Sequence, residues 1–71
     1  MKTNLTVAVH DLPKHALITS RAAAAYLNCS AQWLAVLRMD HEGPAYVKYG
    51  AYVRYRISDI DAWVESRKVA A

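Results

Sequence analysis

The spacing of apolar positions divides the chain into three helical stretches and one stretch of alternation. Between Arg21 and Leu27, four consecutive alanines supply nearly the best intrinsic helix propensity, and Ala23, Ala24 and Leu27 take the spacing of an inward stripe. Thr19 or Ser20 is the candidate N-cap, and Asn28 suits the left-handed residue that closes a helix. After only Asn28 and Cys29, Ser30 can cap a second helix from Ala31 to about Asp40, with Leu34, Leu37 and His41 as candidates for its inner face. Gly43-Pro44 stops that helix, and Tyr46 to Ile57 reads as two short strands around Gly50. A three-residue loop, Gly50-Ala51-Tyr52, places Val47, Tyr49, Val53, Tyr55 and Ile57 on one face and Tyr46, Lys48, Arg54 and Arg56 on the other. A two-residue loop mixes the sets, so the three-residue register is expected. Ser58 then caps a third helix, with Asp59 and Asp61 in its first turn, Arg67 and Lys68 in its last, and Ile60, Trp63 and Val64 predicted inward.

Upstream, Asn4 to Leu12 alternates Leu5, Val7 and Val9 with Thr6, Ala8 and His10, a run too short to fold alone. The chain thus divides into an N-terminal arm, residues 1–16, flexible or added as an edge strand, and a body, residues 17–71. With 71 residues, one core must suffice, burying roughly 60% of the unfolded surface, which counts against a deep substrate cleft and most enzymes. Asp40-His41-Glu42 offers acid and base groups, but neighbours in sequence do not share a helix face, so no enzymatic role is expected. No apolar run approaches the ~20 residues that span a bilayer, and Met1 to Leu17 lacks the pattern of a signal peptide. A cytoplasmic protein without a membrane partner is the expectation. The single Cys29 excludes an intrachain disulfide and reads as packing, and with His10, His15 and His41 it forms no zinc-like spacing, so neither metal nor cofactor is expected. A formal net charge of +3 favours a polyanionic partner.

Two short helices joined by so tight a turn must cross steeply, the geometry of a helix-turn-helix whose second helix can enter a DNA major groove. The residues that fill this frame are Leu17-Ile-Thr-Ser-Arg-Ala-Ala-Ala-Ala-Tyr-Leu27, Cys29-Ser30, Leu34, Gly43-Pro44, Tyr46-Val-Lys48, Gly50, Val53-Arg-Tyr-Arg56 and Ser58-Asp-Ile-Asp-Ala-Trp63. From about Leu17 to Val69 the chain resembles the excisionase-like winged helix-turn-helix family, and is similar also to the DNA-binding end of MerR-type regulators and to AlpA-like phage regulators. The resemblance implies an α+β fold, a small winged helix-turn-helix of three short helices and a two-stranded wing. It further implies a sequence-selective, double-stranded-DNA-binding protein of a mobile element. Such a protein acts as a recombination directionality factor that binds adjacent sites head to tail and bends DNA for an integrase, or as a transcriptional regulator.

Each candidate DNA-binding residue also admits a plainer role. Arg54 and Arg56, with Lys48, have the spacing of successive phosphates, the alternative being a solvated strand face. Arg38 is a candidate for guanine or a phosphate, and Gln32 for adenine or a phosphate, or else a surface amide. Arg21, in the first turn of the first helix, faces the backbone or solvent. Trp33 and Val36 lie off the Leu34/Leu37 face, so part of the pair is expected exposed, for thymine methyls or a protein partner, unless Trp33 folds back to complete the core. Tyr52 at the wing tip can meet a sugar, a phosphate or a neighbouring subunit. The chain departs from the family pattern where polar readers are usual, having Ala35-Val36, and where wing-tip arginines are usual, having Ala51-Tyr52. Those departures motivate a second reading, a winged-helix interaction module that antagonises another regulator through Trp33, Val36 and Tyr52.

Overall fold

Thr19 ends one element and begins the next. It closes strand β1 (Leu17–Thr19), and its hydroxyl accepts the Ala22 N–H at 3.1 Å, so the chain enters helix α1 (Ser20–Leu27) without a loop. These features belong to a computed structural model that describes residues 9–70. Asn28 takes φ 58°, and the Cys29 N–H reaches the Ala24 carbonyl at 2.9 Å while the Asn28 N–H reaches Ala25 at 3.1 Å. This Schellman closure reverses the chain within two residues. Ser30 then caps α2 (Ala31–Met39) through the Trp33 N–H at 3.0 Å. The end of α2 repeats the closure, with His41 at φ 58° and the Glu42 N–H on the Leu37 carbonyl at 2.9 Å. His41 is therefore the exposed left-handed residue of a cap and not part of the inner face. Gly43 follows because a Cβ there would lie 3.1 Å from that of Leu37.

The hairpin comprises β2 (Val47–Tyr49) and β3 (Tyr52–Arg56), and β1 adds to its other side, giving an antiparallel sheet of order β1-β3-β2. The α+β class and the winged arrangement agree with expectation, and the wing gains a third strand. The register does not agree. Tyr49 pairs with Tyr52, Lys48 with Val53 and Val47 with Arg54, so the loop is the two residues Gly50-Ala51. Gly50 at φ 62°, followed by an ordinary alanine, has the φ pattern of a type II′ turn, whose twist matches the strands it joins, and Tyr52 is spared the left-handed position. Tyr46, Lys48, Val53 and Tyr55 consequently share the face turned to the helices, and Val47, Tyr49, Tyr52, Arg54 and Arg56 the opposite one.

Helix α3 (Ile57–Ser66) begins directly after β3, one residue before the expected cap Ser58. No side chain caps it. Instead the Ile57 N–H bonds the Ala16 carbonyl at 3.2 Å and the Ser58 N–H the Lys14 carbonyl at 2.9 Å, so the segment entering β1 satisfies the free amides. Ile18, Ala23, Ala24, Leu34, Tyr55, Ile57 and Ile60 form the core, with Val9, Leu12, Ala16 and Cys29 packed at its margin. Of the expected inward residues of α3, Ile60 is fully buried, Trp63 half-buried and Val64 exposed. Of the arm, residues 1–8 lie outside the described residues, while Val9–Asp11 forms a 3₁₀ turn and not a strand. Among the described residues no helix is long and apolar enough to cross a membrane.

Candidate nucleic-acid interface

Residues 32, 35, 36 and 39 recur at i, i+3, i+4 and i+7 on α2, which places them on one face opposite Leu34. Gln32 is exposed, Val36 is 48% exposed and Met39 77%, so this face is open from the first turn of α2 to the last. Sequence reasoning missed Met39, although its spacing from Gln32 and Val36 marks it. Trp33 is also 48% exposed, but it stands to one side, lining a groove with Leu27, Trp63 and Val64 that does not include Val36. The expected Trp33–Val36 pair thus divides between two surfaces, and Trp33 does not complete the core.

Arg38 lies on the opposite flank of α2. It donates to the Tyr55 hydroxyl at 2.9 Å and its guanidinium sits 5.7 Å from the centre of the Tyr46 ring. Tyr46 in turn packs tilted on Tyr55, with ring centres 6.0 Å apart. A cation held by a buried hydroxyl and an aromatic face ties α2 to the sheet, and its reach toward bases is reduced accordingly. The signal for this clamp is the two-residue loop, since only that register sets Tyr46 and Tyr55 on the same face.

The wing cations divide as the strands do. Lys48 is exposed on the helix-facing side, two residues from Tyr46, and so separates from Arg54 and Arg56, with which the other register grouped it. Arg54 donates to the Val53 carbonyl at 2.9 Å and lies 5.1 Å from the centre of the Tyr52 ring. Arg56 donates to the His15 carbonyl at 2.9 Å. At the tip Tyr49 and Tyr52 pair with ring centres 6.4 Å apart, and Tyr52 is well exposed. Arg21 is exposed on α1, away from these clusters in sequence.

A family model for a helix-turn-helix domain matches residues 17–68. The chain belongs to the helix-turn-helix domain family. That family is excisionase- and AlpA-like, and membership points this helix-turn-helix protein toward DNA. No curated protein matches the chain significantly.

Two further clusters hold the frame of this helix-turn-helix protein, and composition gave no sign of either. Asp61 on α3 accepts the Tyr26 hydroxyl at 2.6 Å and the Lys14 ammonium at 3.0 Å, joining α1, α3 and the segment before β1. The Tyr26 hydrogen bond, reinforced by Lys14, holds the Asp61 carboxyl below its usual range, while the bond to Asp61 raises both Lys14 and Tyr26. The Glu42 carbonyl accepts both the Trp63 indole N–H and the Arg67 guanidinium at 2.9 Å, with Arg67 5.3 Å from the Trp63 ring centre. Arg67 therefore anchors the loop after α2, where a complement to the α3 dipole was expected. Burial pushes the Cys29 thiol up, away from the reactive thiolate. Among the described residues no cluster of His, Cys, Asp and Glu is arranged to hold a metal ion.

Proposed function

We propose that this chain is a sequence-selective DNA-binding protein of a mobile element, an excisionase-type recombination directionality factor that also serves as a transcriptional regulator. It acts architecturally and without catalysis. Helix α2 enters the major groove, while the sheet presents Lys48, and Arg56 by its outer face, to the backbone. The observation that carries this reading is the open outer face of α2, tied to the sheet by the Arg38 clamp within a helix-turn-helix family member. So small a module with one polar reader on that face binds a single site weakly, so adjacent copies cooperate, head to tail. The bend they impose, of order 1–6 kcal/mol, is offset by the added contacts and prepares the DNA for an integrase. The cytoplasm is where that partner and DNA meet.

The test is a mobility shift with a random duplex, with a fragment carrying the element's attachment site and with its own promoter, across a salt series. Tighter, stepwise and salt-sensitive shifts on the specific fragments are expected, and Lys48→Ala or Arg56→Ala should each lower the salt slope by about 0.9 for every phosphate left without its cation. Absence of any shift at low salt would refute the reading. A second reading, an interaction module that antagonises another regulator, draws on the apolar groove of Leu27, Trp33, Trp63 and Val64. Under it Trp33→Ala abolishes function while Lys48→Ala and Arg56→Ala are silent.

A further inference from the structure

The outer face of α2 has an unusual chemistry for a helix that reads bases. Between residues 31 and 39 its only outward hydrogen-bonding side chain is Gln32, since Arg38 is drawn into Tyr46 and Tyr55. The remainder is apolar: Ala35, Val36 and the projecting Met39. Guanine offers the major groove two acceptors and asks for a donor such as arginine, and cytosine offers an amino group and asks for an acceptor. Adenine fits a side-chain amide, and thymine alone presents a methyl group. The apolar part of the face answers only the thymine methyl, and the one amide, Gln32, carries the donor and the acceptor that adenine engages together. Ala31 and Ala35 also keep the surface low, so a helix about 10–12 Å across can settle into a groove of similar width.

Resting on the DNA-binding reading above, we propose that α2 selects A·T base pairs by apolar contact of Val36 and Met39 with thymine C5-methyl groups, with Gln32 pairing an adenine. DNA is the occupant to which the face is assigned because the chain belongs to a helix-turn-helix family and carries a formal net charge of +3, complementary to phosphate.

The experiment isolates the methyl. The full chain is used to select duplexes from a randomised 20-base-pair library by mobility shift, and the recovered duplex is resynthesised with each thymine replaced in turn by deoxyuridine, which lacks only that methyl. The expected result is an A·T-rich core and a loss of about fourfold in affinity at each contacted thymine. Val36→Ala, at an exposed position where folding is checked by circular dichroism, should bring the thymine-to-uracil ratio at one position close to one. Recovery of G·C-rich duplexes, or equal binding of thymine and uracil duplexes, would overturn the readout while leaving DNA binding intact. An unchanged ratio with a folded Val36→Ala protein would overturn the role of Val36. Recovery of no duplex at any salt concentration would overturn both the readout and the reading beneath it, and would turn attention to a protein partner.

Discussion

Arg38 is the residue on which a base-reading role and a structural role make opposite predictions. Its guanidinium is the partner of the Tyr55 hydroxyl, and Tyr55 is only 1% exposed. Arg38→Ala removes a hydrogen bond to a charged group and leaves that hydroxyl inside without a partner, a combination worth about 2–3 kcal/mol. Loss of the stacking on the Tyr46 ring adds about 0.5 kcal/mol. Tyr55→Phe deletes the same hydrogen bond but strands nothing in the core, because the guanidinium it frees is only half-buried and can turn to water. It should cost about 1 kcal/mol. The double variant should then be more stable than Arg38→Ala alone, by about 1 kcal/mol, since its core holds no orphaned hydroxyl. Urea unfolding followed by circular dichroism measures all three, and each kcal/mol corresponds to ~4–8 °C in Tm for a domain of this size. If Arg38→Ala unfolds at the wild-type midpoint yet loses discrimination between specific and random duplexes, the clamp contributes nothing and Arg38 reads bases.

Because Asp61 has its carboxyl lowered in the fold, its contribution is complete above the unfolded value of about 3.9 and is lost as pH falls through the folded value. Asp61→Asn should therefore flatten the fall in urea midpoint between about pH 5 and 2, and an unchanged profile would remove Asp61 as the source. Gly50→Ala meets no atom within 4 Å, so its whole cost is the backbone at φ 62°, about 1–2 kcal/mol. Gly50→Asn should cost less, and equal thermal midpoints for wild type, alanine and asparagine variants would contradict the two-residue turn.

The helices were legible because their signals are local. Alanine content, the Thr19 and Ser30 caps and the left-handed Asn28 each act within one turn of chain. What the sequence concealed depends on contacts between distant segments. Strand β1 was hidden because three residues carry no periodicity, and it exists only because β3 offers its free edge. The α3 start was displaced from Ser58 because carbonyls of residues 14 and 16 satisfy its amides, and a side-chain cap was not needed. The hairpin register departs from expectation because the real strands mix cations and apolar residues on each face, whereas the three-residue loop keeps them apart. Tyr49 and Tyr52 are instead a cross-strand pair on the outer face, where their rings cover one another. Of the candidate site, exposure of Val36 and Trp33 was legible from helical spacing. Their separation onto two surfaces was not, because it depends on where α3 lies.

Strand β3 receives β1 along one edge and β2 along the other, and runs without a linker into α3, while β1 runs without a linker into α1. The wing is therefore no independent finger. A force applied at the Gly50-Ala51 tip passes along continuous backbone and paired strands to two of the three helices, and the Arg38 bond carries it to the remaining one. A load at the tip would therefore reach α2 as well, through Tyr55 and Arg38. The same continuity limits how the chain tolerates change in length. An inserted residue at the joints 19–20 or 56–57 would rotate a whole helix against the sheet, and one at the tip would change the register that sets Tyr46 beside Tyr55.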